Sequence, residues 1–347
     1  MDTTAPARRP SLFVIPRATP GSPDPAGTGF GVGGSEAALN GVLDVVPTEG
    51  ATADDVIRTI RRTGSTRWLL AGPAEVVVEV ANRVLAGEPG VFGLTGVVVL
   101  GEDAPAGALR VTAPPLPRLS LAAPDDAAVL DFWRSWAGTS PELPSDFAKT
   151  IASSRTSSRT RGILARRALA DDPDFAPSIL TPSQLTTLRA VADRVVPQGD
   201  GPTIDLAARV DAQLAAGLGD GFRDPTLPSD QVAYGQALDL LAGFEDDEPE
   251  ARDARLGSIV DGTALDGTDT RGGLGAGAPA WTSAQLSAWF DDARVDLVRQ
   301  WLAHPATLNR IGWDAFANGG DGTNIQGFQL LLPNEREAWE PAMEVTR

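Results

Sequence analysis

The chain has 347 residues, 42% of them hydrophobic, with 37 glycines, 28 prolines and a formal net charge of −17, enough length and apolar content for two domains with cores of their own. It has no cysteine and one histidine, which excludes disulfides, thiolate nucleophiles, iron–sulfur clusters, covalently attached c-type haem and cysteine- or histidine-rich metal sites. Residues 1–180 carry 17 basic and 20 acidic side chains and residues 181–347 carry 12 and 26, so the second half repels phosphate backbones and nucleic acid is not an expected partner.

The first 28 residues combine six prolines with a short apolar run, "LFVI". The pair Arg8–Arg9 suggests a twin-arginine export leader, but four apolar residues precede Pro16, where such a leader has about 7–15. The expectation is a tethering arm or an edge strand.

Residues 29–122 alternate in character: "SEAALNGVLDVV" and "TADDVIRTIRRTG" read as helical, "RWLLAG" as a strand and "PAEVVVEVANRVLAG" as a helix. "VFGLTGVVVLG" and "ALRVTAPPLPRLSL" read as further strands. This predicts a small α/β unit. In residues 123–178, "DDAAVLDFWRSWAG" predicts an amphipathic helix. A segment from Lys149 to Ala170 follows, holding six basic residues, the chain's only lysine among them, and no acidic one. Such a block reads as a solvated linker, with intramolecular docking or an external partner as alternatives.

From residue 179 to the C-terminus the 3.6-residue period dominates. "TPSQLTTLRAVADRVVP" opens with Thr181, Pro182 and Gln184, the elements of a capping box, and ends at Pro197. Helical patterns recur in "TIDLAARVDAQLAAGLG", "SDQVAYGQALDLLAGF" and "TSAQLSAWFDDARVDLVRQWLAHP". The Gly/Asp-rich stretch "DGTALDGTDTRGGLGAGAPA" reads as a surface loop. The overall expectation is an α+β chain in which an all-α domain, 179–347, follows the small α/β unit. No apolar run approaches 18 residues, so no transmembrane helix is expected.

Candidate sites are few. "GFGVGG" has glycines at 29, 31 and 34 in the dinucleotide-binding spacing, but no strand runs into the first glycine. The α/β unit has some likeness to a nucleotide-sugar glycosyltransferase core, with "GPAE" where the metal-binding acids would stand. No nucleophile elbow occurs. "DGTALDGTD" and "NGGDGTN" place oxygen ligands near glycines without the calcium-loop register, so no metal is expected. The sole histidine, His304, precedes Pro305, which suits the first position of a helix "PATLNRIGWDAF", so His304 reads as its N-cap.

Two stretches, "LTPSQLTTLRAVADRVVPQGDGP" with Asp193 and Pro197, and "LVRQWLAHPATLNRIGWDAFANGGDG" with His304, Pro305, Gly312 and Trp313, resemble the two ends of the gluconate 2-dehydrogenase subunit 3 family over residues 179–340. The resemblance implies a non-catalytic, cofactor-free accessory subunit. FAD would sit in a large partner flavoprotein of the glucose-methanol-choline oxidoreductase type, often joined by a multi-haem cytochrome c. The small subunit would aid maturation, export or assembly of that flavoprotein. Relatives usually place a twin-arginine leader before the first helix; here Arg166 and Arg167 lead into aspartates. The expected location is therefore cytoplasmic, or exported only as a passenger of a signal-bearing partner. Trp281, Trp289, Trp301, Trp313 and Trp339 are the expected partner anchors. The alternative is nucleotide-sugar binding through the N-terminal unit.

Overall fold

The computed structural model describes residues 9–16, 39, 41–101, 108–109, 114–219, 224–266, 280–322 and 335. Its architecture is α+β, and it divides into two compact units, residues 1–172 with 304–347, and residues 173–303.

The first unit is built on five parallel strands: β1 (Ser11–Val14), β2 (Asp44–Pro47), β3 (Trp68–Gly72), β4 (Leu94–Leu100) and β5 (Arg118–Leu121), in spatial order β2-β1-β3-β4-β5. Alternate side chains serve two cores. Phe13, Ile15, Trp68, Leu70, Val97 and Val99 pack under helices α1 (Ala53–Thr63) and α2 (Ala74–Leu85), whereas Leu12, Val14, Leu69, Ala71, Val98 and Leu100 meet Leu39, Leu43 and helix α3 (Asp126–Phe132). A sheet covered on both faces favours strands that are apolar almost throughout, which is why β1, β3 and β4 read as near-continuous hydrophobic runs. β1 is thus an inner strand, hydrogen-bonded to β2 and β3, rather than an arm or an edge. Likewise "DVV", read as the end of a helix, forms β2, where β1 supplies its hydrogen-bond partners.

Local chemistry sets the element ends. Thr52 and Asp55 form a capping box at the start of α1, and Gly64 ends it with φ 64°. α3 continues into a π-helical turn, Trp133–Ala137.

The Arg/Ser-rich segment is no linker. It forms α4 (Ser145–Ala152) and α5 (Ser158–Arg167), whose Ala148, Ile151, Leu164 and Ala165 join the first core. The sequence pattern misleads because Arg161 is buried: its guanidinium donates to the carbonyls of Gly87 (2.9 Å), Ser153 (2.7 Å) and Thr156 (2.9 Å). The backbones meet closely here. A Cβ on Gly87, at φ 96°, would collide with the Ser158 carbonyl, and one on Gly162 would crowd the carbonyl of Leu85.

The second unit is helical: α6 (Pro182–Val195), α7 (Leu206–Ala215), α8 (Asp230–Leu240), a 3-10 turn at Phe244–Asp246, α9 (Pro249–Val260) and α10 (Ser283–Ala303). Both expected capping boxes are present, Thr181 with Gln184 and Thr282 with Gln285. α9 escapes the periodicity argument, because Ile259 is its sole buried side chain. Fully buried Asp211 accepts N–H groups from Ser178 (2.7 Å), Ile179 (3.1 Å) and Leu180 (2.8 Å), anchoring the chain ahead of α6.

The last described helix, α11 (Pro305–Arg310), and the chain to residue 322 group with the first unit, not with the helical bundle to which their sequence assigns them. Leu308, Phe316 and Ala317 supply the reason, since they are buried in the first core. The helix expected over "PATLNRIGWDAF" is shorter than the pattern, because Gly312 takes φ 68°.

Candidate functional site

His304 is fully buried at the N-cap of α11. Its Nδ1 accepts the Ala306 N–H at 3.1 Å, so the proton of the neutral ring lies on Nε2, 3.3 Å from Ser140 Oγ. Ser140 Oγ in turn donates to the Ala168 carbonyl at 2.7 Å. This chain of bonds ends on a backbone carbonyl that cannot take a proton, so the arrangement orients and caps. It has the geometry of a cap, with the Ser140 hydroxyl proton directed at the Ala168 carbonyl and not at the imidazole.

The other end of α11 explains Gly312 and Trp313. The Gly312 N–H bonds to the Asn309 carbonyl (3.0 Å) and the Trp313 N–H to the Leu308 carbonyl (2.9 Å). This pair is a Schellman termination, which needs a residue at positive φ. Trp313 is 47% exposed and stacks obliquely on Phe316 at 5.8 Å, which itself meets Phe147 edge-on at 5.7 Å.

The remaining motif residues belong to the second unit. Asp193 lies on the exposed side of α6, and Pro197 follows the helix end. Partial desolvation raises the Asp193 carboxyl above its ordinary value, a shift that nearby Arg252 opposes. The structure therefore assigns Asp193 and Pro197 to one unit and His304, Pro305, Gly312 and Trp313 to the other.

The expected tryptophan anchors separate by burial. Trp281 (5% exposed) and Trp289 (1%) are core residues of the second unit and have no surface to offer a partner, and Trp301 is partly buried against the same core. Trp339 and the "GFGVGG" glycines lie outside the described residues. The surface that sequence reading missed is on α10. Leu286, Trp289, Phe290, Ala293 and Leu297 form its buried stripe, while Val295 (52% exposed), Val298 and Leu302 are exposed. At 100° per residue the second set falls roughly opposite the first. Its spacing of three and four residues is a legible signal, hidden here by the stronger inward one.

Among the described residues, no three His, Asp or Glu side chains converge as a metal site, and no helix is long and apolar enough to cross a membrane. Compared with protein-family models, curated proteins and solved structures, the chain matches none of them.

Proposed function

We propose that the chain is a non-catalytic accessory subunit of an FAD-dependent sugar or alcohol dehydrogenase of the glucose-methanol-choline type, and that α10 carries the contact with the flavoprotein. The observation that carries this reading is the outward stripe Val295, Val298 and Leu302. Valine and leucine aligned on the solvent side of a helix whose other side already fills a core suit a partner surface. The resemblance of residues 179–340 supplies the kind of partner. The acidity of the second half would add steering that weakens with salt, and the apolar stripe would supply affinity.

The test is affinity capture from the native host with the full chain and with a Val295→Asp/Val298→Asp variant. Both substitutions are at exposed positions, so stability should change by no more than about 0.5 kcal/mol each. Stoichiometric FAD should co-purify with the parent chain and be lost with the variant. Capture without flavin, or equal flavin with both chains, overturns the reading.

A second reading is favoured by the sheet. Strand order reverses between β1 and β3, and ligands of open parallel sheets bind beyond the carboxyl ends of the strands at such a reversal. Nucleotide-sugar binding there predicts a saturable calorimetric titration with a uridine diphosphate sugar; a flat titration removes it.

A further inference from the structure

The outward side of α10 extends beyond Val295, Val298 and Leu302. Ala284, Ala288, Asp291, Val295, Val298 and Leu302 follow one another at alternating steps of four and three residues, a stripe about 27 Å long. At 100° per residue they fall within an arc of about 80°, opposite the buried stripe. Ala288 is half-buried and the other five are exposed.

The width of the stripe selects the kind of partner. It is one residue wide, bounded by Asp292 and Arg299 on one side and by Ser287 and Arg294 on the other. A sheet or a broad globular face calls for a wider apolar patch. A second helix packs along a seam of this width, its side chains closing round each seam residue, and alternating steps of three and four are the mark of such a seam. Alanine at the first two positions lets the two backbones approach, and valine and leucine fill the gap towards the C-terminal end.

Charge narrows the choice further. Asp291 stands in the middle of the seam with its side chain 61% exposed. It pairs with Arg294 at the surface, where such a pair contributes little and is readily exchanged. Residues 173–303, the second unit, carry 9 basic and 21 acidic side chains. That field attracts a basic surface and repels a second copy of the same unit.

We infer that α10 binds one basic amphipathic helix of the flavoprotein, laid along the seam with its apolar residues at three- and four-residue spacing and a lysine or arginine facing Asp291. The inference rests on the proposed contact between α10 and the flavoprotein, and adds the conformation and charge of the bound segment.

The test is photo-cross-linking in the native host with the full chain, a benzophenone amino acid replacing Ala284, Val295 or Leu302 one at a time. All three positions are exposed. Mass spectrometry identifies the partner residue that each one reaches. A bound helix puts the three sites on one segment, separated by about 11 and 7 residues as on α10 itself. An extended segment puts them about five and three residues apart. Asp291→Arg should weaken capture several-fold and Asp291→Asn less, with thermal unfolding midpoints showing that each variant is folded. Helical separations on a protein without flavin keep the bound helix and remove the flavoprotein. Sites on the flavoprotein at extended or scattered separations keep that contact and overturn the helix. Cross-links to a second copy of this chain, no cross-link from any of the three positions, or undiminished capture by a folded Asp291→Arg protein overturn the inference.

Discussion

Among the described residues of each compact unit the most deeply buried charged side chain, Arg161 in the first and Asp211 in the second, is hydrogen-bonded to backbone, and these two charges are of opposite sign. In the first unit Arg161 gathers carbonyls left at helix ends, Gly87 beyond α2 and Ser153 beyond α4. In the second, Asp211 gathers the N–H groups of Ser178, Ile179 and Leu180 just ahead of α6. A helix leaves unpaired carbonyls and partial negative charge at its C-terminus, and unpaired N–H groups and partial positive charge at its N-terminus. The sign of each buried group matches the backbone groups it meets, carbonyls just past two helix ends for Arg161 and N–H groups just before the N-cap of α6 for Asp211. A charge that would be costly alone is held by oriented backbone dipoles.

This comparison can be broken most directly at Arg161. Arg161→Met should cost about 3 kcal/mol, because several carbonyls lose their donors at once inside a packed junction; urea unfolding measures it. Asp211→Asn keeps one acceptor oxygen and should cost less, about 2 kcal/mol. A larger loss at Asp211 than at Arg161 would reverse the ranking and show that the N–H groups are the more demanding set.

His304 is a neutral counterpart to both. His304→Ala should destabilise by about 1–2 kcal/mol through the lost cap, and His304→Asn should recover part of that, since asparagine also caps well. A loss equal to that of alanine would place its contribution in packing against Ser140 rather than in the cap.

The smallest effects are titrations. Hydrogen bonds from the Ser158 hydroxyl and backbone N–H hold the Asp321 carboxyl below the ordinary carboxylate value. Its stabilisation is present above the unfolded pKa and is lost as pH falls through the depressed folded value. Asp193, raised by desolvation, has the opposite sign: its contribution is present below the unfolded pKa and is lost as pH rises through the raised folded value. Asp193→Asn should therefore gain a little stability at neutral pH and none in acid, while Asp321→Asn should lose stability at neutral pH and little in acid. Denaturant midpoints across the carboxylate range check both signs.

Much of the helical unit could be read directly from sequence. Thr181-Pro182-Gln184 and Thr282-Gln285 mark helix starts because a cap is local chemistry, satisfied within four residues. His304-Pro305 marks α11 for the same reason, although the pattern overruns the helix until Gly312 stops it. The candidate partner surface was legible only in part. Tryptophan marks both cores and interfaces, so composition could not separate the buried Trp281 and Trp289 from a surface set, and the quieter stripe Val295, Val298 and Leu302 went unread.

The sequence alone determined the α+β class, the helix caps and the absence of cysteine chemistry, all of which follow from residue identity. Tertiary structure alone decided that "LFVI" is an inner strand, that the Arg/Ser-rich segment docks as α4 and α5, and that the chain after His304 groups with the sheet. An inner strand is defined by neighbours distant in sequence. A buried arginine is defined by carbonyls it meets only after the helices have packed, and neither partner is present in the local pattern.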